Sequence, residues 1–158
     1  MTSTIQTHHA DIFTVTKGVL VHGCNAQGVM GSGLADVVKR KYPAAFKAYR
    51  AQYLAKGLRV GDIVPVVISR DSAGAALIVV NAITQKFYGR DPNVVYVDYD
   101  GLESCFVKVR ALAEEHKLTD IHFPLIGCGL ANGKWPAVSA RIVRALGDGV
   151  TKHLWVKD

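Results

Sequence analysis

The chain has 158 residues, 49% of them hydrophobic and 20% charged, with a formal net charge of +6 and a pI near 9.3. That length suits one domain, residues 1–158, able to bury a core without metals or disulfides, and the composition excludes a disordered chain. The basic balance permits attraction to nucleic acid or to phosphorylated small molecules, and equally a merely solubilising surface; charge alone does not separate these.

In chain order, IQTHHADIF (5–13) reads as a weak edge strand and GVLVHG (18–23) as a strand. SGLADVVKRKYPAAFKAYRAQYLAKG (32–57) has helical spacing, interrupted at Pro43 and stopping at Gly57. DIVPVVI (62–68) is a strand that Pro65 assigns to a sheet edge, and AALIVVNAI (75–83) a strand buried on both faces. In YVDYDGLESCFVKVRALAEEHKL (96–118), Leu102, Phe106, Val109, Leu112 and Ala113 recur at helical spacing. DIHFPLIG (120–127) is a strand, WPAVSARIVRALGDG (135–149) a helix ending at Gly147, and KHLWV (152–156) a last strand. Strands alternating with helices imply a three-layer α/β/α sandwich with a mixed, largely parallel central sheet, its ligand at the carboxyl ends of the strands. No repeat, linker or low-complexity tract interrupts it.

Cys24, Cys105 and Cys128 are odd in number and lack metal-ligand spacing, which fits free thiols in the cytoplasm, with no metal and no cofactor. MTSTIQTHHAD has no apolar signal core, and the longest apolar run, AGAALIVVNAI, falls far short of the roughly 20 residues of a membrane helix, so a soluble protein is expected. The tandem His8 and His9 are expected on the surface.

Two glycine clusters follow strands and lead into helices. HGCNAQGVMGSGLA (22–35) holds Gly23, Gly28, Gly31 and Gly33; GCGLANG (127–133) follows IHFPLI. Such loops expose backbone N–H donors and the partial positive charge of a helix start, which suits phosphate, so the pair can grip a diphosphate. GxxGxG is not the dinucleotide fingerprint, and no Lys-Ser or Lys-Thr follows to make a P-loop. The polar, aromatic segment 84–101 reads as a long loop over the site, with Tyr88 covering a ligand or packing at its rim. Asp98 and Asp100 read as helix cap and first-turn acid. His22, at the mouth of the first loop, is the side chain that titrates near neutral pH, either a general acid or base or a hydrogen-bonded structural residue. Asn132 reaches a terminal phosphate or shapes its turn.

With both loops in place the chain resembles a macrodomain, the ADP-ribose-binding α/β module, from about Asp11 onward. The resemblance implies that Asp11, with Ile12 beside it, recognises the adenine amino group. It implies that Asn25 reaches the distal ribose while Gly31, Ser32 and Gly33 approach the diphosphate. It also makes Gly127, Cys128, Gly129, Leu130, Ala131 and Asn132 the loop around the phosphates and distal ribose. His22, the IGCGL loop and the AIT after the central strand are similar to the branch containing ADP-ribose-1''-phosphate phosphatases and the terminal ADP-ribose protein glutamate hydrolase. That hydrolase has a Lys and an Asp where this chain has Gln85 and Ala131, and Lys86 stands one residue late, turned to the other side of a strand end. The implied activity is removal of the 1''-phosphate from ADP-ribose-1''-phosphate, with His22 and Asn25 as catalytic residues. The alternatives are a non-catalytic ADP-ribose reader and an ADP-ribosyl-protein hydrolase of altered mechanism. The expected partners are ADP-ribose, ADP-ribose-1''-phosphate or ADP-ribosylated protein, taken up by a monomer without membrane and with no requirement for nucleic acid.

Overall fold

The structure is a computed structural model and describes residues 4–157. Six strands, β1 (Ile5–His8), β2 (Gly18–Asn25), β3 (Ile63–Arg70), β4 (Ala76–Gln85), β5 (Asp120–Phe123) and β6 (Thr151–Trp155), form one sheet in the order β1-β6-β5-β2-β4-β3. All neighbours are parallel except β3, which runs antiparallel to β4 at the edge where Pro65 placed it. Helices α1 (Gly33–Lys41) and α2 (Pro43–Lys56) cover one face, and α3 (Tyr99–His116) and α4 (Trp135–Leu146) the other. No helix among the described residues is long and apolar enough to cross a membrane.

β4 shows why its sequence is an unbroken apolar run. Ile78, Val80 and Ala82 join the cluster under α3 and α4, while Leu77, Val79 and Ile83 face α1 and α2. A strand covered on both sides has no polar alternation to display. Leu102, Phe106, Val109 and Ala113 of α3 are buried, with Phe106 edge-on to Phe123 of β5 at 5.8 Å. Pro43 begins α2 as its first residue, and Gly57, with φ of 83°, ends it.

Several boundaries differ from the sequence reading. β2 and β4 run on to Asn25 and Gln85, because the two strands keep pairing into the loops. The strand expected over 120–127 stops at Phe123: Pro124 has no N–H to offer, and its carbonyl accepts from Ile126 instead. Of 5–13 only Ile5–His8 pairs; Ile12–Thr14 is a 3-10 turn capped by Asp11. His9 is exposed as expected, but His8 is half-buried, stacked 4.4 Å from Trp155, with its Nε2 2.9 Å from Nδ1 of His153, which in turn contacts Asp120 at 2.8 Å. These rings tie β1, β6 and β5 together at the sheet edge opposite β3. The parallel arrangement brings the carboxyl ends of β2, β4 and β5 to one side, and both glycine clusters with them.

Candidate functional site

At that side lies a cavity of about 670 Å³, within the range of small-molecule sites. Its walls include Asn25, Gly31 and Gly33 from the first loop, Thr84 from the end of β4, and Gly129 and Ala131 from the second loop; Tyr88 and Arg90 enter from the segment after β4.

The first loop is held by α2. Tyr49, fully buried, places its hydroxyl 2.7 Å from the Asn25 carbonyl oxygen and 2.9 Å from Asn25 Oδ1, and burial pushes its pKa above the ordinary phenol range. Asn25 Oδ1 also accepts from the Gln27 N–H, Asn25 Nδ2 donates to the Val29 carbonyl, and Arg50 donates to the Gly28 carbonyl. Asn25 therefore braces its own loop and keeps one amide hydrogen for a ligand. Ser32 caps α1 without a side-chain hydrogen bond, so the helix start is not closed off by it.

The glycines divide by cause. A side chain at Gly133 would collide with the Gly127 carbonyl oxygen, and Gly33 has φ of 62°, so these serve the backbone. Gly31 and Gly129 have neither a left-handed φ nor a crowding neighbour: the nearest atom to a Cβ is Val29 Cγ1 at 3.5 Å in one case, and nothing lies within 4 Å in the other. Both line the cavity, and the protein itself does not require them to lack side chains.

His22 does not stand at the mouth of the loop. It is fully buried on the face toward α1 and α2 and is absent from the cavity wall. Its Nε2 donates to Asn81 Oδ1 at 2.6 Å, and Asn81 Nδ2 donates to the carbonyls of Ala45 and Val64. Burial lowers its pKa to about 4, so it is neutral at pH 7 and acts as a link between β2, β4 and α2 rather than as an acid or base at the site. The catalytic assignment is corrected for this reason: alternation along β2 turns His22 inward with Leu20 and Cys24.

Asn132, with φ of 62°, does not point to a phosphate either. Its Nδ2 donates to the Asp91 and Val94 carbonyls at 2.9 and 2.7 Å and fastens the segment after β4 to the second loop. Tyr96 N–H to the Ala131 carbonyl and Asp98 N–H to the Thr84 carbonyl fasten it further. Asp98 caps α3 through the Gly101 N–H and Asp100 stands in its first turn, as expected, where it also pairs with Arg141 at 2.6 Å. Cys128 lies off the wall, its thiol donating to the Ile126 carbonyl. Asp11 and Ile12 also lie outside the cavity: Asp11 Oδ1 accepts from Phe13 N–H and Oδ2 lies 3.4 Å from Lys157, while Ile12 is buried. Lys86 is off the wall and lies over Phe87; Gln85 is on it. Ser32, Gly127, Leu130 and Tyr88 line the cavity.

Sequence reasoning missed two residues. Arg90 is the one charged side chain on the wall, and no hydrogen bond or ion pair engages it among the described residues. Its signal was a cation in the same polar segment that supplied Tyr88. Thr84 is fully buried on the wall, its hydroxyl without a partner among the described residues, 2.9 Å from where a Gly23 Cβ would sit. The AIT motif pointed to its position but not to its orientation. Cys24 is on the wall too, but burial raises its thiol pKa well above the usual range, which leaves it a poor nucleophile. No carboxylate, lysine or histidine lines the cavity among the described residues.

An α/β/α sandwich on a mixed, largely parallel sheet, whose two glycine loops wall one cleft at the strand ends, defines a class of ligand-binding domain. The chain belongs to the Macro domain family, whose sequence profile matches residues 21–143. It is similar to an ADP-ribose 1''-phosphate phosphatase of Aspergillus clavatus, 52% identical over 42 residues, 26% of this chain and 21% of that protein. It is also similar to a DNA ADP-ribosyl glycohydrolase of Thermus aquaticus, 28% identical over 137 residues, 87% of this chain and 36% of the other. The matches thus span about a fifth to a third of those curated relatives. A structure from Bacteroides thetaiotaomicron, of unknown function, superposes with a TM-score of 0.82 at 26% identity, covering 98% of each chain.

Proposed function

We propose that this domain binds ADP-ribose and removes the phosphate of ADP-ribose-1''-phosphate. The observation that carries this reading is the pair of open glycines, Gly31 and Gly129, on the walls of a cavity whose one charged side chain among the described residues is Arg90, unpaired among them. Backbone N–H groups of the two loops and the start of α1 hold the diphosphate, and the adenine extends beyond the cavity wall toward Asp11, whose Oδ2 would exchange Lys157 for the adenine amino group. The distal ribose then lies toward the end of β4, between Asn25 and Arg90.

The chemistry of the wall favours phosphate-ester cleavage over glycosidic cleavage. Glycosidic hydrolysis relies on a paired acid and base or a side-chain nucleophile, and among the described residues the wall offers neither carboxylate nor lysine. Phosphoryl transfer has a loose transition state with charge spread over the phosphoryl oxygens, so positioned donors can supply most of the stabilisation. Arg90 and the loop N–H groups are such donors, and water attacks phosphorus as the ribose oxygen leaves.

Phosphate release from ADP-ribose-1''-phosphate, measured beside calorimetric binding of ADP-ribose, tests the reading. Arg90→Gln is expected to lower phosphate release about 10- to 100-fold while changing ADP-ribose affinity less than about threefold. Tight ADP-ribose binding without phosphate release would make the domain a reader; binding of neither compound would remove the ADP-ribose reading altogether.

A further inference from the structure

Two polar residues are buried in β4, Asn81 and Thr84. Asn81 turns toward α2 and is engaged at both ends of its amide: Oδ1 lies 2.6 Å from His22 Nε2, and Nδ2 donates to the carbonyls of Ala45 and Val64. Thr84 stands three residues further on, so strand alternation turns it to the opposite face, the one that Val80 and Ala82 present to α3 and α4. Among the described residues its Oγ1 is the one buried side-chain oxygen or nitrogen without a hydrogen-bond partner. A hydroxyl withdrawn from water and left unbonded costs free energy until a partner reaches it.

Its surroundings hold this hydroxyl at the cavity. The Thr84 carbonyl accepts from Asp98 N–H, which anchors the end of β4. Gly23 of neighbouring β2 makes room beside Oγ1: a Cβ there would lie 2.9 Å from the hydroxyl oxygen and 3.2 Å from Cγ1 of Ile126, the residue that leads into the second loop. Gly23 has no left-handed φ, so its own backbone does not call for glycine; the space that it leaves is taken by Thr84 and Ile126. Gly23, Thr84 and Ile126 all line the cavity, where the ends of β2 and β4 meet the second loop.

We infer, on the ADP-ribose reading above, that the Thr84 hydroxyl bonds a hydroxyl of the distal ribose and is a specificity-determining contact of this cavity. That reading sets the distal ribose toward the end of β4, where Thr84 stands. A threonine hydroxyl and a ribose hydroxyl each donate and accept, so the two satisfy one another, whereas an ionised phosphate oxygen only accepts. The Ile126 side chain shares the gap beside Oγ1 and turns aside as the sugar enters. A ligand that ends at the diphosphate leaves Oγ1 unbonded, as it is in the free protein, and gains nothing from the contact. Thr84 therefore favours a diphosphate that carries a sugar over one that does not, while Arg90 and the loop N–H groups act on the phosphates.

Calorimetric titration of the parent, Thr84→Val and Thr84→Ser with ADP-ribose and with ADP, beside urea denaturation of each, tests it. ADP keeps the adenosine and the diphosphate but lacks the distal ribose. Thr84→Val keeps the shape of the side chain and removes the hydroxyl; it is expected to lose about tenfold in ADP-ribose affinity while binding ADP within about twofold of the parent. Its urea midpoint is expected to equal or exceed the parent's, because no hydrogen bond within the protein is lost. Thr84→Ser retains the hydroxyl and should bind ADP-ribose within about threefold of the parent. Parental ADP-ribose affinity in Thr84→Val would overturn the inference and leave the ADP-ribose reading standing. Equal weakening toward both nucleotides, or a lowered urea midpoint that Thr84→Ser restores, would overturn it too, since the hydroxyl would then serve the protein's own structure. Failure of the parent to bind ADP-ribose would overturn the ADP-ribose reading and this contact with it.

Discussion

The two glycine loops face one cavity but are built differently. The first is fastened by side chains, its own Asn25 within the loop and Tyr49 and Arg50 of α2 from outside, so its shape depends in part on how that helix docks. The second is fastened chiefly by its own backbone, Ile126 N–H to the Pro124 carbonyl, Cys128 to Leu125, Asn132 to Gly129 and Gly133 to Gly127, with residues 91–97 bonded to it through Asn132 and the Ala131 carbonyl. A loop held by its own backbone tolerates changes in its neighbours, whereas a loop held by side chains inherits the stability of the element that bears them. Each nonetheless leaves one glycine open to the cavity, Gly31 in the first and Gly129 in the second.

The sharpest way to break this comparison is a pair of substitutions within the second loop. Gly133→Val drives a side chain into the Gly127 carbonyl and is expected to cost about 3 kcal/mol or more, read by urea denaturation. Gly129→Val meets open space, so its stability should stay within about 0.5 kcal/mol of the parent while ADP-ribose affinity falls by about 100-fold or more. Equal destabilisation by both would show that Gly129 serves the backbone.

Acid should distinguish the loops next. His22 links β2 and β4 to α2 beneath the first loop and has a folded pKa of about 4, against 6.5 for an unperturbed histidine. Between those values the unfolded chain binds a proton that the folded imidazole refuses, so stability is complete above about pH 6.5 and is lost as pH falls toward 4. The shift corresponds to about 3 kcal/mol, and His122, similarly depressed to about 4 by burial and by His153, acts in the same direction. Denaturation curves at pH 7 and pH 5 measure the loss, and His22→Gln should flatten its share. Hydrogen exchange corrected for intrinsic rate should rise in α2 and the first loop before it rises in residues 124–133.

A smaller effect is expected from Tyr49→Phe, which removes the hydroxyl that braces Asn25. It should cost about 1 kcal/mol of stability and weaken ADP-ribose binding severalfold. Unchanged binding would mean that the first loop keeps its shape without α2.

Much of this was legible in the chain. The alternation of elements, the break at Pro43, the edge position of Pro65 and the placement of both loops at the strand ends follow from local chemistry, because proline, glycine and apolar periodicity act over a few residues. The burial of His22 was not legible. A residue at a strand end faces the cleft or the core according to register, and one residue of register reverses the answer. Asn132 illustrates a second limit: its partners, Asp91 and Val94, lie some forty residues earlier, and nothing local announces the contact. His8 was misjudged likewise, since its stacking partners are on β6.

β3 has a consequence for behaviour in concentrated solution. An outermost strand offers unpaired N–H and C=O groups that a second molecule can extend into a continuous intermolecular sheet, the first step of many aggregation pathways. Here the strand includes Pro65, which has no N–H to donate, its pairing with β4 is irregular between Val67 and Ser69, and it ends on the cationic Arg70. A straight, uninterrupted template is thereby denied to an approaching copy even though Val67 is half exposed. The opposite margin, β1, is only four residues long, so both borders of the sheet are poor seeds for fibre growth.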